Sequence, residues 1–145
     1  MNNSDEIRLM FKKIHGKLKN SMDYKLGLLE LTYPQFSVLI FIASSGDRGV
    51  SQKDICQHTG LKHSTVNGII NRLFDKGLVI RTVDESNRKL VKIKATEKSL
   101  YIEKELKLHK KGIKEKLLRY IPESDRLVLL DMLKRVSLGM DEEGK

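Results

Sequence analysis

The sequence predicts a mainly α-helical chain that carries one small β-hairpin, and three observations predict it. Apolar residues recur at helical spacing through most of the chain, whereas "LVIRTV" is rich in β-branched and aliphatic residues and Val91, Ile93 and Ala95 alternate with lysines in the two-residue period of a strand. Capping residues and the glycines Gly46, Gly60 and Gly77 fall between the periodic segments. The resulting order is helices, a pair of short helices, a hairpin, and helices again.

Each element has its own signal. In the first segment Ile7, Met10, Phe11, Ile14 and Leu18 form an amphipathic stripe, with Lys12, Lys13, Lys17 and Lys19 on other faces. Such a helix needs an apolar surface to lie against. "LTYPQFSVLIFIASSG" opens with Thr32 three residues before Gln35, the spacing of a capping box, and Pro34 stands in the first turn where its missing N–H costs nothing. The run that follows is apolar on nearly all faces and predicts a buried central helix ending near Ser45 and Gly46.

In "SQKDICQHTG", Ser51 is the expected N-cap, Ile55 and Cys56 the buried face, and Gly60 the left-handed C-terminal turn. Val66, Ile69, Ile70 and Leu73 then trace one apolar stripe on a second short helix. Two short helices joined by a glycine-containing turn make a helix-turn-helix. Gly77 ends the second helix. "LVIRTV", the turn-prone "DESNR", and Val91, Ile93 and Ala95 alternating with Lys92 and Lys94 predict a hairpin with one basic face. From Thr96, the expected N-cap, a long helix runs toward Tyr120. After Pro122 a last helix places Leu129, Leu130, Leu133, Val136 and Met140 on one side.

Charge points to a partner. The net charge is +9, and residues 48–94 carry ten basic and four acidic side chains while residues 122–145 are net acidic. A localised basic field suits a polyanion, although basic balance alone also fits an anionic membrane surface or simple solubility. The N-terminus has no apolar core of signal-peptide length, and "FSVLIFIA" is too short to span a bilayer. With one cysteine, Cys56, a disulfide-stapled secreted domain is not expected. These features together predict a cytoplasmic protein and no membrane partner.

A helix-turn-helix followed by a basic hairpin is the layout of a winged helix, in which the second helix enters the major groove and the hairpin reaches backbone or minor groove. With the stripe of the second helix turned inward, its start and outward face carry Lys62, His63, Ser64, Thr65, Asn67, Gly68, Asn71 and Arg72. Asn pairs with adenine edges, Ser and Thr bond bases or phosphates, and a helix N-terminus adds backbone donors for phosphate. Gly68 permits close backbone approach at a cost of about 1 kcal/mol of helix propensity. Ser51 and Gln52, at the start of the first helix, complete the expected set. The competing reading is an ordinary solvated helix face.

"LTYPQFSVL", "SQKDICQHTGLKHSTVNGIINRLFDKGLVIR" and "LVKIKATEK" resemble, in order and spacing across roughly residues 30–100, the MarR family of bacterial winged-helix transcription regulators. The resemblance implies one MarR-like domain over 1–145, with dimerisation helices at about 1–30 and 96–145 and a winged-helix lobe at about 31–95. It further implies a homodimer on a pseudo-palindromic operator, acting as a repressor, and a small aromatic effector between the dimer helices and the DNA lobe. Phe36, Phe41, Leu28 and His15 are candidates to line such a crevice, though their spacing favours core. Two departures stand out. Family members usually carry Asp-x-Arg in the wing; the matching positions here are Asn87 and Lys89, with Arg88 one step out of register, so the wing contact falls on Arg88 or Lys89. Gly68 stands where the family often has a basic residue.

Rival sites are weaker. Cys56 raises the alternative of a redox-responsive regulator, but it occupies a position suited to a small core residue and has no second cysteine in the chain to resolve a sulfenic acid. Cys56 and His58 point about 200° apart on one helix and do not converge with His63 on a metal. His15 and His109 lie on separate helices and could meet, without a carboxylate or Cys at ligand spacing. No phosphate-cradling glycine loop, HExxH helix or nucleophile with a base is present, so no enzyme, metal or cofactor is expected. A helix-turn-helix used only for protein contacts is the other alternative, for which a basic recognition face is an odd choice.

Overall fold

A computed structural model describes residues 2–143 and divides the chain into two compact units, residues 1–109 and 110–145. In the first unit α1 (Asn3–Leu28) leads into α2 (Tyr33–Ser44), a single 3-10 turn (Gly46–Arg48), α3 (Gln52–Thr59), α4 (His63–Asp75), and an antiparallel hairpin of β1 (Val79–Val83) and β2 (Val91–Ala95). The long helix α5 (Glu97–Leu117) begins in this unit and ends in the second, which also holds α6 (Glu123–Glu143).

Local chemistry sets the boundaries. The Thr32–Gln35 capping box is formed, with both reciprocal bonds present and Pro34 at the helix start. Ser51 and Asp54 form a second one at α3, and Gly60 closes that helix with φ 72°. Thr96 stands directly before α5, at the expected N-cap position. Its hydroxyl donates to the Gly77 carbonyl at 2.6 Å, and its N–H to the Leu78 carbonyl at 3.0 Å. The residue thus stitches the end of the hairpin to the turn after α4.

The core of the first unit sits where α2, α3 and α4 meet the hairpin. Val38, Leu39 and Ile42 of α2, Ile55 of α3 and Val66 and Leu73 of α4 are all fully buried. α2 is apolar all round because it lies at the centre, and α3 and α4 need only one buried stripe each. Val50 adds a bridge to the hairpin by exchanging both backbone bonds with Ile93, at 3.0 and 2.7 Å. Gly49 makes that approach possible. It has φ 70°, and a Cβ there would stand 3.0 Å from the Ile93 carbonyl oxygen and 2.9 Å from Lys94 Cγ.

α1 joins this core only through its last turns. Leu26 is buried, Lys25 pairs with Glu105 of α5 at 2.9 Å, and Ser21 Oγ lies 3.2 Å from His109 Nε2. His109 therefore finds a serine, and His15, far along the exposed part of α1, does not meet it. The predicted stripe Ile7, Met10, Phe11, Ile14 and Leu18 is exposed along its whole length.

In the second unit Arg126 reaches back from α6 to the carbonyls of Ile121 and Leu118, closing the end of α5 around Pro122. Leu130, Leu133, Val136 and Met140 of α6 are exposed. Among the described residues no single helix is long and apolar enough to cross a membrane.

Candidate nucleic-acid interface

α4 owes its orientation to its two faces and its two ends. Val66, Ile69, Ile70 and Leu73 are buried, which turns every residue from Lys62 to Thr65, and Asn67, Gly68, Asn71 and Arg72, toward solvent. Ser64, Asn67, Gly68 and Asn71 follow i, i+3, i+4, i+7 and so share one outward stripe. At the C-terminal end Lys76 Nζ bonds the Glu30 carbonyl, and Lys98 Nζ donates to the Lys76 carbonyl at 2.7 Å. At the N-terminal end the N-cap, Lys62, makes no side-chain capping bond. The first-turn N–H groups of α4 thus face solvent beside a lysine, a combination that favours an anion.

Gln52 and His63, each expected as a contact in its own right, are brought to one another. Gln52 Nε2 lies 3.2 Å from the His63 carbonyl oxygen and 3.2 Å from its ring Nε2. The start of α3 is thereby tied to the start of α4. Ser51 spends its oxygen on the Asp54 N–H. The Ser51 backbone N–H, which donates to the Asp54 carboxylate at 3.0 Å, and then the Ser51 hydroxyl hold that carboxyl below the ordinary range, and the charges of Lys92 and Arg48 act in the same direction.

Arg88 and Lys89 stand exposed at the tip of the wing. The loop that carries them is folded by short polar side chains. Asp84 Oδ1 accepts from the Ser86 N–H at 2.9 Å and the Ser86 hydroxyl at 2.7 Å, which holds its carboxyl below the usual value. Asn87 Oδ1 accepts from the Lys89 N–H at 3.2 Å. An amide therefore shapes the wing tip at the position where the family pattern has Asp.

Arg81 was missed by sequence reasoning. Its guanidinium donates to Asn71 Oδ1 at 2.5 Å and lies 5.2 Å from the centroid of the Phe74 ring. The available signal was register: Arg81 pairs with buried Ile93, which places it on the hairpin face that looks toward α4. Gly68 has nothing within 4 Å of where a Cβ would be, so no internal contact requires glycine there.

The remaining candidates separate. Cys56 is half-buried against the core, whereas His58, two residues on, stacks on Phe41 with ring centroids 4.0 Å apart. Phe36 is core, and Leu28 and His15 are exposed. Phe41 instead borders an open cavity of about 580 Å³ with Arg48, Asp54, His58 and Lys92.

A helix-turn-helix with a polar outward face on its second helix, followed by a hairpin with a basic tip, defines a winged-helix protein. Residues 29–90, from the end of α1 through the wing loop, match the MarR family model. Over that segment, 62 of the 145 residues, the chain is similar to the MarR family. It is 26% identical over 88 residues to the HTH-type transcriptional repressor IacR of Pseudomonas putida, across 61% of this chain and 52% of that protein; the match thus spans about half the length of this curated relative. Among solved structures, a MepR–DNA complex from S. aureus superposes with a TM-score of 0.84 at 20% identity, over 92% of this chain and 98% of that one. CouR from Rhodococcus jostii, bound to p-coumaroyl-CoA, gives a TM-score of 0.62 at 26% identity over 92% of both chains.

Proposed function

We propose that the protein is a sequence-specific DNA-binding transcriptional regulator that works as a homodimeric repressor on a pseudo-palindromic operator. The observation that carries this reading is the outward stripe of α4. Every residue on it is exposed and is either polar or glycine, while the opposite face is buried. In this reading Ser64, Thr65, Asn67 and Asn71 address base edges in the major groove, with Gly68 letting the helix backbone come close. Lys62, His63 and Arg72, with Ser51 and Gln52, sit at the phosphates, and Arg88 and Lys89 reach the minor groove or its rim.

The exposed apolar stripes of α1 and α6 support a homodimer, because two amphipathic helices left bare in water are stabilised by a partner surface. The MepR–DNA complex and the repressor name of IacR support operator binding, and CouR with p-coumaroyl-CoA supports a small aromatic effector. A regulator of this kind acts on DNA in the cytoplasm by binding rather than catalysis.

The test is a titration of purified protein against the DNA upstream of its own gene and an unrelated fragment of equal length, at about 150 mM salt. Two chains per site and a preference of roughly a thousandfold are expected. Equal, weak and salt-labile binding to both fragments would sink the reading of α4 as a base-reading helix.

A further inference from the structure

We propose that Arg81 sets the base preference of the recognition helix by holding Asn71 as a hydrogen-bond donor, so that this position selects guanine rather than adenine. The inference rests on the DNA-binding reading above. A free Asn side chain pairs with adenine in two bonds, its oxygen accepting from N6 and its nitrogen donating to N7. Here the oxygen is engaged. Arg81 donates to it at 2.5 Å, and because a guanidinium has donors and no acceptor, the Asn71 atom that faces it must be Oδ1. The amide nitrogen is left to point away from Arg81.

Charge completes the argument. An oxygen has a second lone pair, but an adenine amino group using it would bring its polarised hydrogens beside a fixed cation. Guanine presents N7 and O6, both acceptors, to the same place. Donor and cation together then favour guanine and disfavour adenine. The cation is also held in place: Arg81 covers the ring of Phe74, which stands one helical turn beyond Asn71 on α4, and its backbone is paired within the hairpin opposite Ile93. Asn71 lies on the same outward stripe as Ser64 and Asn67, so its amide faces the groove with them.

The experiment is selection from a pool of randomised double-stranded DNA, using the full-length protein and its Asn71→Ala, Asn71→Asp and Arg81→Ala variants, each checked by thermal melting. The base position read by Asn71 is the one whose preference disappears in Asn71→Ala. The expected result is guanine there for the wild type, and a roughly tenfold shift toward adenine in Arg81→Ala with the other positions unchanged. Asn71→Asp keeps the Arg81 contact but loses the donors, and should lose guanine in favour of cytosine, whose N4 donates. An adenine preference in the wild type, a guanine preference that survives Arg81→Ala, or an Arg81→Ala effect spread evenly over all positions would each overturn the inference while leaving operator recognition intact. Selection of no motif by the wild type would overturn recognition itself.

Discussion

Gln52, the first residue of α3, donates from its side-chain nitrogen to the carbonyl of His63, the first residue of α4, at 3.2 Å. One side-chain amide thus bridges the starts of the two helices of the helix-turn-helix. In Gln52→Ala the turn should loosen without unfolding, because the bond lies at the surface and a single hydrogen bond contributes only about 0.5–1.5 kcal/mol. DNA affinity should fall several-fold with a melting temperature lowered by a few degrees at most. Fluorescence anisotropy and a thermal melt on the same sample check this, and unchanged affinity would deny Gln52 any part in placing α4.

Gly68 separates folding from function. Among the described residues nothing outside its own helix backbone and chain neighbours lies within 4 Å of where its Cβ would stand, and its φ lies outside the left-handed region, so alanine fits. Gly68→Ala should raise stability by about 0.5–1 kcal/mol, as expected for an exposed helix interior. If the α4 backbone approaches DNA at this point, the same methyl weakens operator binding. A variant that is more stable and binds more weakly is the expected outcome; one that is more stable and binds equally well would mean that the helix backbone stays clear of the groove.

Gly49 shows the opposite balance. Its φ of 70° and the Ile93 carbonyl, which would stand 3.0 Å from a methyl at this position, leave alanine no relaxed conformation, whereas Lys94, a flexible side chain, could move aside. Gly49→Ala should cost about 1–3 kcal/mol through backbone strain. Because the Val50–Ile93 bridge is one of the ties between the wing and the lobe, the loss should appear in urea unfolding together with weaker DNA binding.

The chain's punctuation was legible wherever a residue's partner is local. Thr32 with Gln35, Ser51 as the N-cap of α3 and Gly60 in its left-handed turn are all settled within four residues, and each is found as its spacing predicts. The buried stripe of α4 was legible because the 3.6-residue period is itself local. What escaped depends on contacts across long loops. Thr96 stands at the cap position its sequence predicts, yet the Gly77 carbonyl, nineteen residues away, claims its hydroxyl. Arg81 reads as one more strand residue until the hairpin folds back on α4, and only then do Asn71 and Phe74 become its neighbours. Gln52 and His63 were each legible as polar residues near a helix start, but their bond to one another required the angle of the turn.

Asp54 gives a pH dependence with a definite sign. Hydrogen bonds from the Ser51 N–H and hydroxyl lower its pKa in the folded state. A depressed carboxylate adds stability that is present above the unfolded value, about pH 4, and is lost as the pH falls through the folded value. Asp54→Asn should therefore lower stability at neutral pH and flatten the decline below pH 4. Unfolding curves between pH 2 and 7 would show it, and parallel acid limbs for the two proteins would mean that this capping box does not contribute to acid sensitivity.

The exposed stripe of α6 supports the last prediction. Leu133 and Val136 are 41% and 43% exposed, so replacing them removes little from the interior of the chain. In a monomer, Leu133→Asp with Val136→Asp should be nearly neutral, since exposed sites tolerate charge. In a dimer that covers them, two carboxylates per chain would be buried without partners, and each lost apolar side chain would forfeit about 1 kcal/mol, the part of a full burial that the partner supplies. The expected result is a folded, helical double variant that sediments as a monomer where the wild type sediments as a dimer, and that binds a half-site oligonucleotide far better than it discriminates the full operator. A double variant that remains dimeric would move the interface off this face of α6 and leave the stripe of α1 as the surface to test next.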